Sequence, residues 1–211
     1  MKTIYSRWLI AALAWAISAC SSLKANSDSI TIRIHFLHGS KPKFKYRYQE
    51  DRWFGGVLGG HAVEYESNKI LNFQPKGRFL LFSHRRLINS RFSIHDTISF
   101  YGILGGEYPS VKKTIISIRI SAQQKLKLDS IVSVYTKRSP YDYAFLGMRC
   151  GAATYDMLAE AEQVRRYTFS KTWQRFFYPR KVRRHLEKIA AQKGYHIWKT
   201  EGSNKRVWEK D

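Results

Sequence analysis

The sequence predicts an α+β fold built as one domain, and three observations carry that expectation. Segments with the period-2 alternation of half-buried strands fill the first part of the chain, segments with helical periodicity follow, and neither a linker nor an internal repeat separates them. The 211 residues are 44% hydrophobic and 15% aromatic, which excludes a wholly disordered chain. Two cysteines allow at most one disulfide, so neither a disulfide scaffold nor a four-cysteine zinc site can form. With 37 Lys+Arg against 16 Asp+Glu the net charge is +21, which calls for an anionic partner or surface and is silent about fold.

Residues 1–19 read as an address. Lys2 and Arg7 precede an uncharged run, WLIAALAWAISA, that is too short to span a bilayer and suits the apolar region of a signal peptide. The run ends Ile17-Ser18-Ala19-Cys20, which resembles the bacterial lipobox, an aliphatic residue and two small ones before a cysteine that is lipidated. Ser21 after Cys20 resembles the lipoproteins of Gram-negative bacteria that are sent to the outer membrane. Cleavage after Ala19 leaves 192 residues and, with Lys2 and Arg7 gone, a charge of +19. Cys150 is then the remaining thiol. Residues 20–29 are small and polar, a tether ahead of a domain at 30–211.

Within that domain, Ile30, Ile32, Ile34 and Phe36 alternate and predict a strand over 31–37. A basic, aromatic stretch follows at 41–53, then a glycine-rich run at 55–60. Residues 61–66 and 69–74 predict two strands joined at Ser67-Asn68, a two-residue hairpin loop. Further strands are expected at 78–83, 94–101 and 113–120. Ser121 with Gln124 reads as a capping box that opens a helix to about residue 135. Ser139-Pro140-Tyr141-Asp142-Tyr143 is a turn. Ala152, Ala153, Met157, Leu158 and Ala161 supply one apolar face to a helix over 150–163. Pro179 starts another helix and Gly194 stops it. Residues 195–199 and 205–209 read as a closing hairpin.

The chemistry-bearing residue is Cys150, at the expected start of a helix directly after Arg149. Exposed backbone N–H groups and a neighbouring guanidinium both favour the thiolate, the nucleophilic form. A small buried cysteine packing on its helix neighbours would look the same. Of the seven histidines, His61 is the best partner, because it leaves the glycine-rich run and enters a strand. With a two-residue loop, Glu66 faces Lys69 and the register puts Gln74 opposite His61, where an amide could hold one imidazole tautomer. Asn72 or a shifted register would serve that role equally.

Gly60-His61-Ala62-Val63-Glu64-Tyr65, then Pro140-Tyr141-Asp142-Tyr143 and Arg149-Cys150-Gly151-Ala152-Ala153, resemble the circularly permuted papain-like superfamily. That group is related to NlpC-type cell-wall peptidases and includes lecithin–retinol acyltransferases and bacterial lipoproteins. The resemblance covers about residues 61–158. It implies a small antiparallel sheet carrying the histidine, packed on a helix whose N-terminus presents the cysteine. It further implies Cys150 as nucleophile, His61 as base and Gln74 as orienting group. Gly60, Tyr143 and Arg149 would line the groove, with the Cys150 N–H in the oxyanion hole. The chain departs from the pattern in offering Gln74 where relatives carry a second His or another strong polar residue, and in placing Arg149 before the cysteine.

These readings predict a lipid-anchored envelope cysteine hydrolase acting on amides, with cell-wall peptides as substrate. Two alternatives stay open: an acyltransferase or thioesterase on lipid acyl groups, and a non-catalytic basic lipoprotein that binds the envelope. His35-x-x-His38 points to opposite strand faces and makes no metal site, and the glycine-rich run lacks the Lys-Ser/Thr of a phosphate loop, so no metal and no cofactor is expected. The basic aromatic stretch would suit nucleic acid, but strand alternation there would put Phe44, Tyr46 and Tyr48 on one face and the basic residues on the other, and the signal peptide argues against a nucleic-acid partner. The expected partners are the membrane, through lipidated Cys20, and anionic lipid headgroups or cell wall, met by basic surface such as Arg165-Arg166 and the RKVRR run at 180–184.

Overall fold

The computed structural model describes residues 30–50, 60–77, 80–84, 86 and 89–210. The expected signal peptide, Cys20, the tether and most of the glycine-rich run lie outside the described residues. The strands are β1 (Ile30–Leu37), β2 (Ser40–Pro42), β3 (Gly60–Glu66), β4 (Lys69–Gln74), β5 (Arg91–His95), β6 (Lys113–Ile120), β7 (His196–Thr200) and β8 (Arg206–Trp208). The helices are α1 (Thr97–Ile103), α2 (Ala122–Lys137), α3 (Cys150–Glu160), α4 (Phe169–Arg175) and α5 (Pro179–Lys193). Six strands form one antiparallel sheet in the order β5-β4-β3-β1-β6-β7, and β2 pairs with β8 in a separate ribbon. The architecture is α+β.

Alternation in β1 sends Ile32, Ile34 and Phe36 to one face of the sheet and Arg33 and His35 to the other. The first face meets α2, α3 and α5 in the larger core, where Val63, Leu71, Ile116, Leu128, Leu158 and Leu186 are buried. Each such side chain contributes about 1.5–3 kcal/mol on leaving water. The second face holds a smaller cluster of Leu37, Ala62, Ile70, Phe100, Tyr101 and Val111, with α1 supplying its two aromatics. Among the described residues no helix is long and apolar enough to cross a membrane.

Helix starts follow their caps. Ser121 and Gln124 form the expected capping box at α2, Pro179 opens α5, and Gly194 ends it with φ of 64°. The eleven residues of α3 are apolar on nearly every side, because this helix is sandwiched between the sheet and its neighbours rather than lying on the surface.

Four expectations change. Residues 94–101 divide into the end of β5 and the helix α1, because Asp96 accepts from the Ser99 N–H at 2.9 Å and caps a helix there. The basic stretch takes a 3-10 turn at Phe44–Tyr46, so its aromatics do not share a strand face. β7 and β8 pair with β6 and β2, not with each other. Of residues 78–83, the described part makes one isolated bridge, Phe82 to Leu146. The helix α4 is an addition, capped by Thr168 accepting from the Lys171 N–H.

Candidate active site

β3 and α3 bring His61 and Cys150 together. β3 runs beside β1, with His61 directly opposite Phe36. The two rings stack, with centroids 5.6 Å apart and planes 7° from parallel. Cys150 is the first residue of α3, which packs on β3 and β4. Gly151 allows that approach: a Cβ there would stand 2.9 Å from the Phe176 carbonyl oxygen, 3.3 Å from Val182 Cγ2 and 3.5 Å from His61 Cε1. A larger residue would wedge the helix away from the imidazole.

The thiol is free and half-buried. Burial alone would push its pKa up. The charge of His61, then that of Arg149, then the Tyr143 hydroxyl outweigh that and hold Cys150 below the ordinary thiol value. Tyr143 moves the other way: burial, reinforced by the negative Cys150, pushes its phenol well up, so it remains a protonated donor. The helix start adds to this. Arg149 occupies the cap position without capping through its side chain, and the first bond of the helix runs from the Ala153 N–H to the Arg149 carbonyl. The N–H groups of Cys150 and Gly151 precede it and have no intrahelical acceptor.

His61 is buried at 2% exposure, yet neither ring nitrogen meets another residue in hydrogen-bonding geometry. A polar atom in that state costs about 1–3 kcal/mol, and such groups collect where chemistry is done. Arg149 is similar. Its guanidinium lies over Phe177 at 4.8 Å and Phe145 at 5.4 Å, and its Nε and Nη1 are buried without hydrogen-bond partners.

The segment bearing Tyr143 is braced from below. Asp142 is fully buried and accepts from the backbone N–H groups of His84 and Asn89, both at 2.8 Å. The Asn89 amide donates to the Tyr143 carbonyl and the Ser90 hydroxyl to that of Tyr141. Compared with protein-family models, curated proteins and solved structures, the chain matches none.

Of the expected site residues, Cys150, His61, Tyr143 and Arg149 converge. Gln74 does not. A bulge between Glu64 and Glu66 moves the β3–β4 register by one residue, so Val63 faces Leu71 and Glu64 faces Ile70. Gln74 therefore falls on the opposite face of the sheet from His61, 3.2 Å from the Ser93 hydroxyl. Asn72 alternates with Gln74 onto that same face. Gly60 also looks away, since the side chain it lacks would meet Leu104 Cδ1 at 2.7 Å, on the α1 side. Sequence reading missed Phe36, Phe145 and Phe177, which pack on His61 and Arg149. Phe36 and Phe177 reach the site from distant parts of the chain, where no local pattern marks them, and Phe145 lies in an irregular segment just before Arg149, where no periodicity shows its direction. Among the described residues no group of His, Cys, Asp and Glu could hold a metal ion.

Proposed function

We propose that this chain is a cysteine hydrolase of permuted papain-like architecture, anchored by lipid at Cys20 in a bacterial envelope and acting on amide or ester carbonyls. The observation that carries the reading is the thiol at the first position of a buried helix, drawn toward its charged form by His61, Arg149 and Tyr143 together. The Cys150 thiolate attacks the carbonyl carbon, and the oxygen takes the electron pair. The Cys150 N–H, with Tyr143 as a protonated donor nearby, stabilises that oxyanion. Protonated His61 gives its proton to the leaving amine or alcohol as the bond breaks. Water, deprotonated by His61, then attacks the thioester and returns the thiolate. Cell-wall peptide suits an envelope location, and acyl-lipid or thioester substrates need the same steps.

One observation favours a second reading, a basic envelope-binding lipoprotein that keeps the fold without turnover. Among the described residues no polar side chain orients His61, since Gln74 faces away.

Alkylation of the full chain by iodoacetamide, followed at Cys150 by mass spectrometry across pH, separates the two. The hydrolase reading expects a midpoint below about 8.5, the free thiol value, and an upward shift in His61→Gln. A Cys150 that stays inert until the protein is denatured removes the hydrolase reading.

A further inference from the structure

Away from Cys150, a cleft of about 270 Å³ opens where the edge strand β5 meets the C-terminal end of α2. Lys76, Arg86, Arg91, Lys137 and Arg138 stand around it, and no carboxylate lines it. Among the described residues none of the five is in a salt bridge, although most acids elsewhere in the fold are paired with cations. Arg91 is braced by a neutral group. In the amide orientation that satisfies both its ends, Gln74 accepts from Arg91 Nε at 2.9 Å and Nη2 at 3.1 Å, which orients the guanidinium and leaves its charge uncompensated.

The hydroxyls of the cleft narrow the ligand class. Ser90 and Ser139 both donate to the Tyr141 carbonyl, at 2.7 and 2.6 Å, and Thr136 donates to the Val132 carbonyl at 2.8 Å. Their protons are committed, so the side-chain donors left for a visitor are those of the five cations and the Tyr135 phenol, which burial keeps protonated. Like charges gathered in one concavity focus a positive potential into it. Arg86, Arg91 and Arg138 offer planar forks that match a tetrahedral oxyanion, and Lys76 and Lys137 add mobile point charges. A carboxylate, with one negative charge, would leave four of the five cations unmatched. A phosphomonoester carries up to about two charges and three acceptor oxygens. The volume of about 270 Å³ holds several water-sized groups, which leaves room for the group that carries the phosphate.

We propose that this cleft is a binding site for a phosphomonoester, whether on a lipid headgroup or on a soluble molecule.

Calorimetric titration of the full chain with inorganic phosphate at low salt tests it. Two variants are compared, the cleft variant Arg91→Gln/Lys137→Gln/Arg138→Gln and the control Arg119→Gln/Lys171→Gln/Lys193→Gln, three exposed cations on β6, α4 and α5, which removes the same charge. Phosphate affinity should fall at least about tenfold in the cleft variant and stay within about twofold in the control. An equal loss in both variants, no loss in the cleft variant, or no binding by the unaltered chain overturns the proposal. If the triple variant does not fold, Arg138→Gln alone, at an exposed helix end, is read the same way. Vesicles of phosphatidylcholine with phosphatidic acid distinguish the sources. Sedimentation lost with the phosphate binding assigns a lipid headgroup, and sedimentation kept while phosphate binding is lost assigns a soluble ligand.

Discussion

Two histidines sit on neighbouring strands and look out of opposite faces of the same sheet. His35 on β1 is saturated: Nε2 lies 2.8 Å from Glu64 Oε2, and the Tyr101 hydroxyl reaches Nδ1 at 3.1 Å. Glu64 accepts in turn from Arg33 and from the Asn68 N–H. Burial pushes that carboxyl up, but the imidazole, the Asn68 amide and the guanidinium more than offset it and hold Glu64 below the usual carboxylate range. His61 on β3 is as deeply buried and has neither nitrogen satisfied. The difference separates a histidine that the fold consumes from one that it keeps in reserve. A closed network rigidifies, whereas an open valence beside a thiol can accept and return a proton.

The contrast predicts unequal losses. Glu64→Ala leaves the buried His35 without its carboxylate partner and should lower unfolding free energy by about 3 kcal/mol. His61→Gln should cost less, about 1–2 kcal/mol, because it gives up the ring stacked on Phe36 but breaks no hydrogen bond. Guanidinium unfolding of both variants reads this directly, and comparable losses would dissolve the distinction. A smaller effect sharpens the helix side. Gly151→Ala forces its methyl group against the Phe176 carbonyl, so it should cost about 1–3 kcal/mol and slow alkylation of Cys150 as α3 shifts from His61. Unchanged reactivity would show that the pair tolerates a looser helix.

The smallest effect concerns the other part of α3. Its first residue is held toward the charged form, while Asp156 is pushed up to about 6 by burial and then by Glu160, against the pull of Arg166. A carboxyl with a raised native pKa binds more protons folded than unfolded, so stability grows as pH falls through about 6 toward the ordinary value. Between about pH 7 and pH 5 this group should add on the order of 1 kcal/mol, discounted for its partial exposure. Subtracting the Asp156→Asn melting curve from that of the unaltered chain isolates it, and identical pH dependence in both would rule it out.

Much of this was legible from the residues in order. The capping box at Ser121, the Pro179 start and Gly194 stop, and the helix beginning at Cys150 are local signals, and each element begins where its cap stands. The pairing of His61 with Cys150 was legible as chemistry. The face taken by Gln74 was not, because a single extra residue in a bulge reverses which face a side chain takes, and hairpin arithmetic cannot see it. The 94–101 segment misled for a related reason. Phe100 and Tyr101 are as apolar as any strand residues, yet Asp96 ahead of Ser99 commits them to a helix. Partners of β7 and β8 depend on chain returning from far away, and no window of sequence contains that information.

The central position of β1 also sets an order of events during synthesis. This strand is the first described element to leave the ribosome, and it ends between β3 and β6. Its register ties Arg33 to Glu64 on one edge and Ile30 to Ile120 on the other. A nascent chain therefore carries an apolar strand with two open edges until residue 66 emerges, and with one open edge until residue 120 emerges. Closing such distant loops is slow compared with forming α2 or α5. Until then the Ile-rich strand is the segment most exposed to pairing with the wrong neighbour, and a chaperone that recognises unpaired β edges would find its site there.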